Sequence, residues 1–426
     1  MVVSSLYNIV DQIFIGQGVG YLGNAATNVS FPLTTICMAI ALLIGIGSAS
    51  SFSLNLGKGR PDKAAQIVGN GIVMMIISGV AYMVIGEILL VPLLTAFGAT
   101  PEVMPYAIEY SGVIIAGFPF LIIQNGMSSL IRADGSPKYS MLCMVSGAIA
   151  NTILDPLFIF GFNMGVFGAA LATVLGQILS FVLAVLYLRK FKTISLVRSN
   201  FRLNPAENLK TCAMGISSSI NQVAITFVQI VLNNSLTYYG AMSVYGTDIP
   251  LASCGIVMKT NAILLAVIIG IAQGVQPIIG FNYGARKFER VRSAYMLSIK
   301  WNFVVSAVGF CIFQFFPQAV ISLFGRGDEL YFEFAVMFMR IFLLMAIVNG
   351  VQVLSSNFFT SIGKAVKGMI LSLTRQVIFL IPLIIILPHI FGIMGILYAG
   401  PIADAAAFVL AICLVSRELK KQKALM

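Results

Sequence analysis

Two aspartates stand where an apolar chain has least use for them. Asp155 lies in NTILDPLFIF, and Asp11 lies in NIVDQIFIG. A carboxylate near the middle of a bilayer costs about 2.5–3.5 kcal/mol on insertion scales. Asn151 precedes Asp155 by four residues, so a helix puts both on one face. Asn8 and Asp11, three apart, share a face in the same way. Pro156 has no N–H for the Thr152 carbonyl, which frees that oxygen and bends the helix. Thr173 lies one helix later and can turn its hydroxyl inward. Carboxylate, amide, hydroxyl and freed carbonyl oxygens together suit a hard cation. Two close buried acids can instead share a proton, and the sequence leaves Na⁺ and H⁺ both open. A plainer alternative is an Asp–Asn hydrogen-bond pair that locks the first span to the fifth.

The elements that carry these residues are membrane spans. The chain has 426 residues, 59% of them hydrophobic and 10% charged, with mean hydropathy +0.97. Soluble domains carry about 25% charged residues. A span needs about 20 apolar residues, and the long continuous runs exclude a barrel built from alternating strands. The runs predict about twelve spans, near 1–21, 30–56, 66–97, 105–131, 139–162, 164–188, 211–238, 249–281, 293–325, 330–360, 368–391 and 394–416. The first looks short, as if truncated. The expected fold is therefore an all-α polytopic membrane protein.

Basic residues cluster after even-numbered spans, in GKGRPDK, at Arg132 and Lys138, through 189–210, in ARKFERVR, at Lys364 and Lys367, and from Arg417 to Lys423. The opposite loops hold only Arg326. This is the positive-inside pattern of a plasma-membrane protein, with those loops and the C-terminus in the cytoplasm. The net charge of +11 therefore reports topology and anionic lipid rather than nucleic acid.

Landmarks recur in order along the two halves. Ile44-Gly45-Ile46 matches Ile269-Gly270-Ile271, and Asn55-Leu56-Gly57 matches Asn282-Tyr283-Gly284. Gly135 matches Gly363, and Gly165 to Gly168 matches Gly392 to Gly395. Six spans per half give both halves one orientation, a parallel repeat with a binding site expected between them. The boundary is drawn at the polar linker, giving an N-lobe of 1–200 and a C-lobe of 201–426. The second half keeps Pro382 in VIFLIPL but none of the polar groups around Asp155. That confines the acid site to the first lobe.

NIVDQIFIG at 8–16, Asn151-xxx-Asp155-Pro156 and GFNYGAR at 280–286 resemble the multidrug and toxic compound extrusion (MATE) family, most of all its DinF-like bacterial branch. The resemblance implies two six-helix lobes and antiport of cationic, amphiphilic compounds against Na⁺ or H⁺. Carried over by position, it implies an ion site at Asp11, Asn151, Asp155 and Thr173, joined by the backbone oxygen of Ala169. The polar residues Gln222, Gln229, Lys259, Gln276, Asn349 and Asn357 are candidates for the substrate cavity.

Rival functions fare worse. A lipid-linked oligosaccharide flippase of the same superfamily would want a strongly cationic cavity, and the first lobe is acidic. A membrane-embedded enzyme needs a nucleophile–base pair or a metal cluster, whereas the chain has one histidine, His389, and six scattered cysteines. Channel filter loops are not evident. No organic cofactor and no obligate protein partner are expected. Among the remaining charges, Lys300 and Arg375 are expected to snorkel, and Arg340 to pair with Glu333. Glu87 and Asp404 are left without a role.

Overall fold

The computed structural model describes residues 2–323 and 329–424, apart from the side chains of 2–9 and Tyr21. Twelve helical spans account for almost all of it. They are α1 (Val2–Gly18), α2 (Tyr21–Gly57), α3 (Pro61–Ile88), α4 (Met104–Ala133), α5 (Pro137–Pro156) and α6 (Gly165–Leu186). After them come α7 (Pro205–Ala241), α8 (Asp248–Gly284) and α9 (Phe288–Phe315). The last three are α10 (Glu329–Phe342 and Ala346–Ser361), α11 (Ala365–Leu373, Thr374–Leu380 and Ile381–Ile386) and α12 (Ile393–Lys423). Ten helices are long and apolar enough to cross a membrane, and α10 makes an eleventh if its two pieces, bent by 48°, form one span. The twelfth is α1, whose 17 residues are short for about 30 Å of hydrocarbon.

The proline and glycine positions explain the helix boundaries. Proline opens α3, α5 and α7, where a missing N–H costs nothing. Gly135 and Gly363 close α4 and α10 at φ 79° and 78°, the left-handed conformation that only glycine takes freely. Gly165 and Gly392 match in a second way, with φ 56° and 57° at the starts of α6 and α12. The sequence repeat is therefore also a repeat of backbone conformation.

Contacts divide the chain into two compact units, residues 1–222 and 223–426. The sequence boundary at 200/201 follows the basic linker, but the start of α7 packs with the first unit. A methyl group on Gly215 would collide with the Leu43 carbonyl of α2, and one on Gly47 with the Thr211 carbonyl. Lys63 at the start of α3 also reaches Glu207, at 3.1 Å.

In the first unit, α4 lies at the centre and packs on α2, α3 and α6. Its core holds Phe52, Met75, Phe118, Ile122 and Met127. Tyr82 stacks on Phe118 at 5.1 Å. In the second unit a core of Phe334, Phe338, Phe342, Leu397 and neighbours joins α8, α10 and α12. A second cluster around Tyr295, Phe358 and Phe359 fills the other end.

Several lone charges have different partners from those expected. Arg340 donates through Nε to the Gln314 carbonyl at 3.0 Å, while Glu333 accepts from the Tyr245 hydroxyl at 3.3 Å. Seven residues of helix hold the two backbones about 10 Å apart, and each side chain takes another partner instead. Arg375 does not snorkel. It pairs with Asp404, Nε to Oδ1, at 2.5 Å, and both side chains are largely buried. Arg326 lies outside the described residues.

Candidate functional site

Pro156 shapes the site. The α-helical pattern of α5 runs to Pro156 and continues as one wide π turn, Leu157–Gly161. Such turns arise where the regular ladder of bonds is interrupted. The turn carries Ile159 and Phe160 onto α1. Ile15 and Ile159 are buried together with Ala169, and Phe14 meets Phe160 edge-on at 6.3 Å. A Cβ on Gly18 would strike Ile159. These contacts hold the short α1 against α5 and bring Asp11 beside Asp155.

Paired glycines bring α5 and α6 together. A Cβ on Gly147 would lie 2.6 Å from the Gly176 carbonyl oxygen, and one on Gly176 would lie 2.6 Å from that of Gly147. Small residues allow such backbone approach in membranes. One turn away, Asn151 and Thr173 face each other.

Asn151 Nδ2 donates to Asp155 Oδ1 at 3.2 Å and to Thr173 Oγ1 at 3.2 Å. Both amide hydrogens are used and the amide oxygen is left over. The Asp11 and Asp155 carboxyl groups lie within hydrogen-bonding reach of each other. Asp155 is fully buried and Asp11 is 8% exposed. Asp11 Oδ1, Asn151 Oδ1 and Asp155 Oδ2 are buried, and none has a hydrogen-bond partner. All three are acceptors, and unmatched buried acceptors are costly. A proton or a cation matches such a set.

The structure thus brings together Asp11, Asn151, Asp155 and Thr173, with Ala169 fully buried one turn from Thr173. The Asn8 side chain lies outside the described residues. A cavity of about 460 Å³ adjoins the site, lined among others by Asp11, Asn151, Thr173, Thr35, Gln124 and Gln177. Of the six cavity candidates read from sequence, Gln222 lines this space. Gln229 and Lys259 are exposed and Gln276 and Asn349 buried, while Asn357 donates to the Val353 carbonyl at 3.0 Å. Sequence reasoning missed Thr35, Gln124 and Gln177. The signal was present but weak: each is a polar residue in an apolar helix, Thr35 beside Thr34 and Gln124 beside Asn125. Among the described residues no three His, Cys, Asp or Glu side chains gather to hold a metal.

Ten or eleven apolar spans among the described residues, with a buried pair of acids in the first unit, define an integral membrane protein built as secondary transporters are. The MatE family model matches residues 1–157 and 218–386. The multidrug export protein MepA of Staphylococcus aureus (strain N315) is 26% identical over 421 residues, covering 97% of this chain and 89% of that protein. A solved structure of the MATE multidrug transporter DinF-BH, determined as a complex, is 35% identical. Its TM-score is 0.90, over 98% of this chain and 92% of that one. A MATE structure in complex with MaL6 shares the fold at TM-score 0.93 and 23% identity, over 100% and 94% of the two chains. The chain belongs to the MatE family, and the higher identity to DinF-BH sets it on the DinF-like side.

Proposed function

We propose that this protein exports cationic, amphiphilic compounds from the bacterial cell in exchange for Na⁺ or H⁺, working as an antiporter and not as an enzyme. The observation that carries the reading is the set of three buried, partnerless oxygens on Asp11, Asn151 and Asp155 beside a cavity of about 460 Å³. A relative named as a multidrug export protein and a solved relative named as a multidrug transporter support it.

The chemistry follows from the side chains. The incoming ion is the co-substrate, and the two carboxyl groups hold it as a bound cation or as protons. Asn151 orients Asp155 through its amide, and Thr173 offers a further oxygen. An ion drives transport only if it binds two conformations unequally. A bond network that spans α1, α5 and α6 gives it that leverage, because loading the site joins three helices. A mere lock would direct the Asn151 amide to Asp11, whereas its described bonds go to Asp155 and Thr173. Among the described residues no basic side chain lines the cavity, which disfavours a pyrophosphate-linked substrate.

The test is ethidium efflux by Asp155→Asn at normal membrane abundance. The expected result is loss of gradient-driven efflux. Unimpaired, ion-dependent efflux would end the proposal. Uptake into vesicles under separately imposed Na⁺ and H⁺ gradients then identifies the coupling ion.

A further inference from the structure

We infer that the second unit carries a binding site for the phosphate group of an anionic phospholipid, centred on Arg340. This goes beyond the transport reading and does not depend on it, resting only on the chain's orientation in the membrane.

A pocket of about 500 Å³ opens between the end of α9 and the first half of α10, where Phe315, Phe316, Gln318, Ser322, Phe332 and Arg340 are among its lining residues. Arg340 is fixed by a reciprocal pair of bonds. Its Nε donates to the Gln314 carbonyl at 3.0 Å, and Gln314 Nε2 donates to the Arg340 carbonyl at 2.8 Å. The two terminal NH₂ groups take part in no described bond. Among the described residues no carboxylate pairs with this guanidinium, unlike that of Arg375. A guanidinium presents its donors in a planar fork that matches phosphate.

Depth places this fork at a headgroup. From Ala346 to Ser361 the second piece of α10 rises about 22 Å, and the first piece, bent from it by 48°, carries Arg340 on toward the far face of about 30 Å of hydrocarbon. Lys364 and Lys367, just beyond Ser361, mark the cytoplasmic surface by the positive-inside pattern. Arg340 therefore lies toward the outer boundary. Phe315 and Phe316, 68% and 64% exposed, flank it as an apolar wall for acyl chains. Among the described residues no acid lines the pocket, so no described carboxylate there receives the ammonium of a zwitterionic headgroup. That selects a net-negative lipid such as phosphatidylglycerol, with Gln318 and Ser322 near enough to meet its polar head.

The test is native mass spectrometry of the full chain in mild detergent, titrated with phosphatidylglycerol or phosphatidylcholine. Wild type is expected to hold phosphatidylglycerol more tightly. Arg340→Gln should weaken that binding roughly tenfold, the worth of one charge-assisted contact, while Lys420→Gln leaves it unchanged. Phe316→Ser keeps the Arg340–Gln314 link and opens the wall; it should weaken binding as well, and it serves if Arg340→Gln does not fold. Wild-type binding in both variants overturns the site, as does equal affinity for the two lipids. Displacement of the lipid by millimolar inorganic phosphate would make this a free-anion site and overturn the lipid assignment. None of these readouts depends on efflux, so a failed transport assay leaves them intact.

Discussion

At the scale of single residues, the two units hold charge in opposite ways. In the first, two acids face each other and three oxygens have no partner. In the second, Asp404 is closed by Arg375 at 2.5 Å. A closed pair has no use for a passing cation, so the contrast itself points to the first unit for coupling. The closed pair has a different consequence. Removing one member of a buried pair strands the other and costs about 3–5 kcal/mol, whereas an apolar replacement of both is near neutral. Arg375→Met should therefore lower the thermal unfolding temperature markedly, and Arg375→Met with Asp404→Leu should recover most of it. Thermal unfolding in detergent measures both. Equal stability of the single and double variants would mean that the pair contributes nothing as a pair. Neither the pair nor the Arg340–Gln314 link is legible in sequence, because the partners are 29 and 26 residues apart and spacing speaks only for neighbours on one helix. Asn151 and Asp155, four apart, were legible for that reason.

At the scale of elements, the site depends on how closely α5 and α6 approach. Gly147 and Gly176 set that distance. A valine at Gly176 has its Cβ 2.6 Å from the Gly147 oxygen, and backbone cannot yield as a flexible side chain does. The helices must separate, and the 3.2 Å bond from Asn151 to Thr173 is lost with them. Gly176→Val is expected to insert in the membrane yet lose ion-driven efflux. Gly270→Val is the control, since no atom lies within 4 Å of a Cβ there. Efflux at wild-type rate by Gly176→Val would show that the crossing does not position the site. Helix limits such as 105–131 for Met104–Ala133 were legible because an apolar run ends where turn residues begin. The π turn after Pro156 was legible as a bend, since the ring deletes a donor. The breaks after Ile88 and Phe342 were not, because hydropathy continues straight through them.

At the scale of the whole molecule, charge decides orientation. The positive-inside pattern predicts that the basic loops stay in the cytoplasm, because carrying Lys and Arg across the bilayer costs about 2.5–3.5 kcal/mol each at the helix centre. The fold reinforces the bias at the same loops. Glu207 bridges Lys63 and Lys210 at 3.1 and 3.2 Å, and Glu418, 1% exposed, holds Lys364 and Lys367. At the end of α4, Asp134 accepts from the Tyr187 hydroxyl at 2.7 Å and from the backbone N–H of Lys192 at 2.8 Å, tying the basic linker down. Opposite these loops, the turn before α4 carries Glu102 and no Lys or Arg. With Cys311 and Cys413, the two exposed cysteines, first replaced by serine, Glu102→Cys should react with a membrane-impermeant maleimide on intact cells. Asp62→Cys, exposed at the start of α3, should react only after the cells are permeabilised. The reverse order of labelling would invert the molecule in the membrane, and with it the side from which the proposed coupling ion arrives and the leaflet that Arg340 faces.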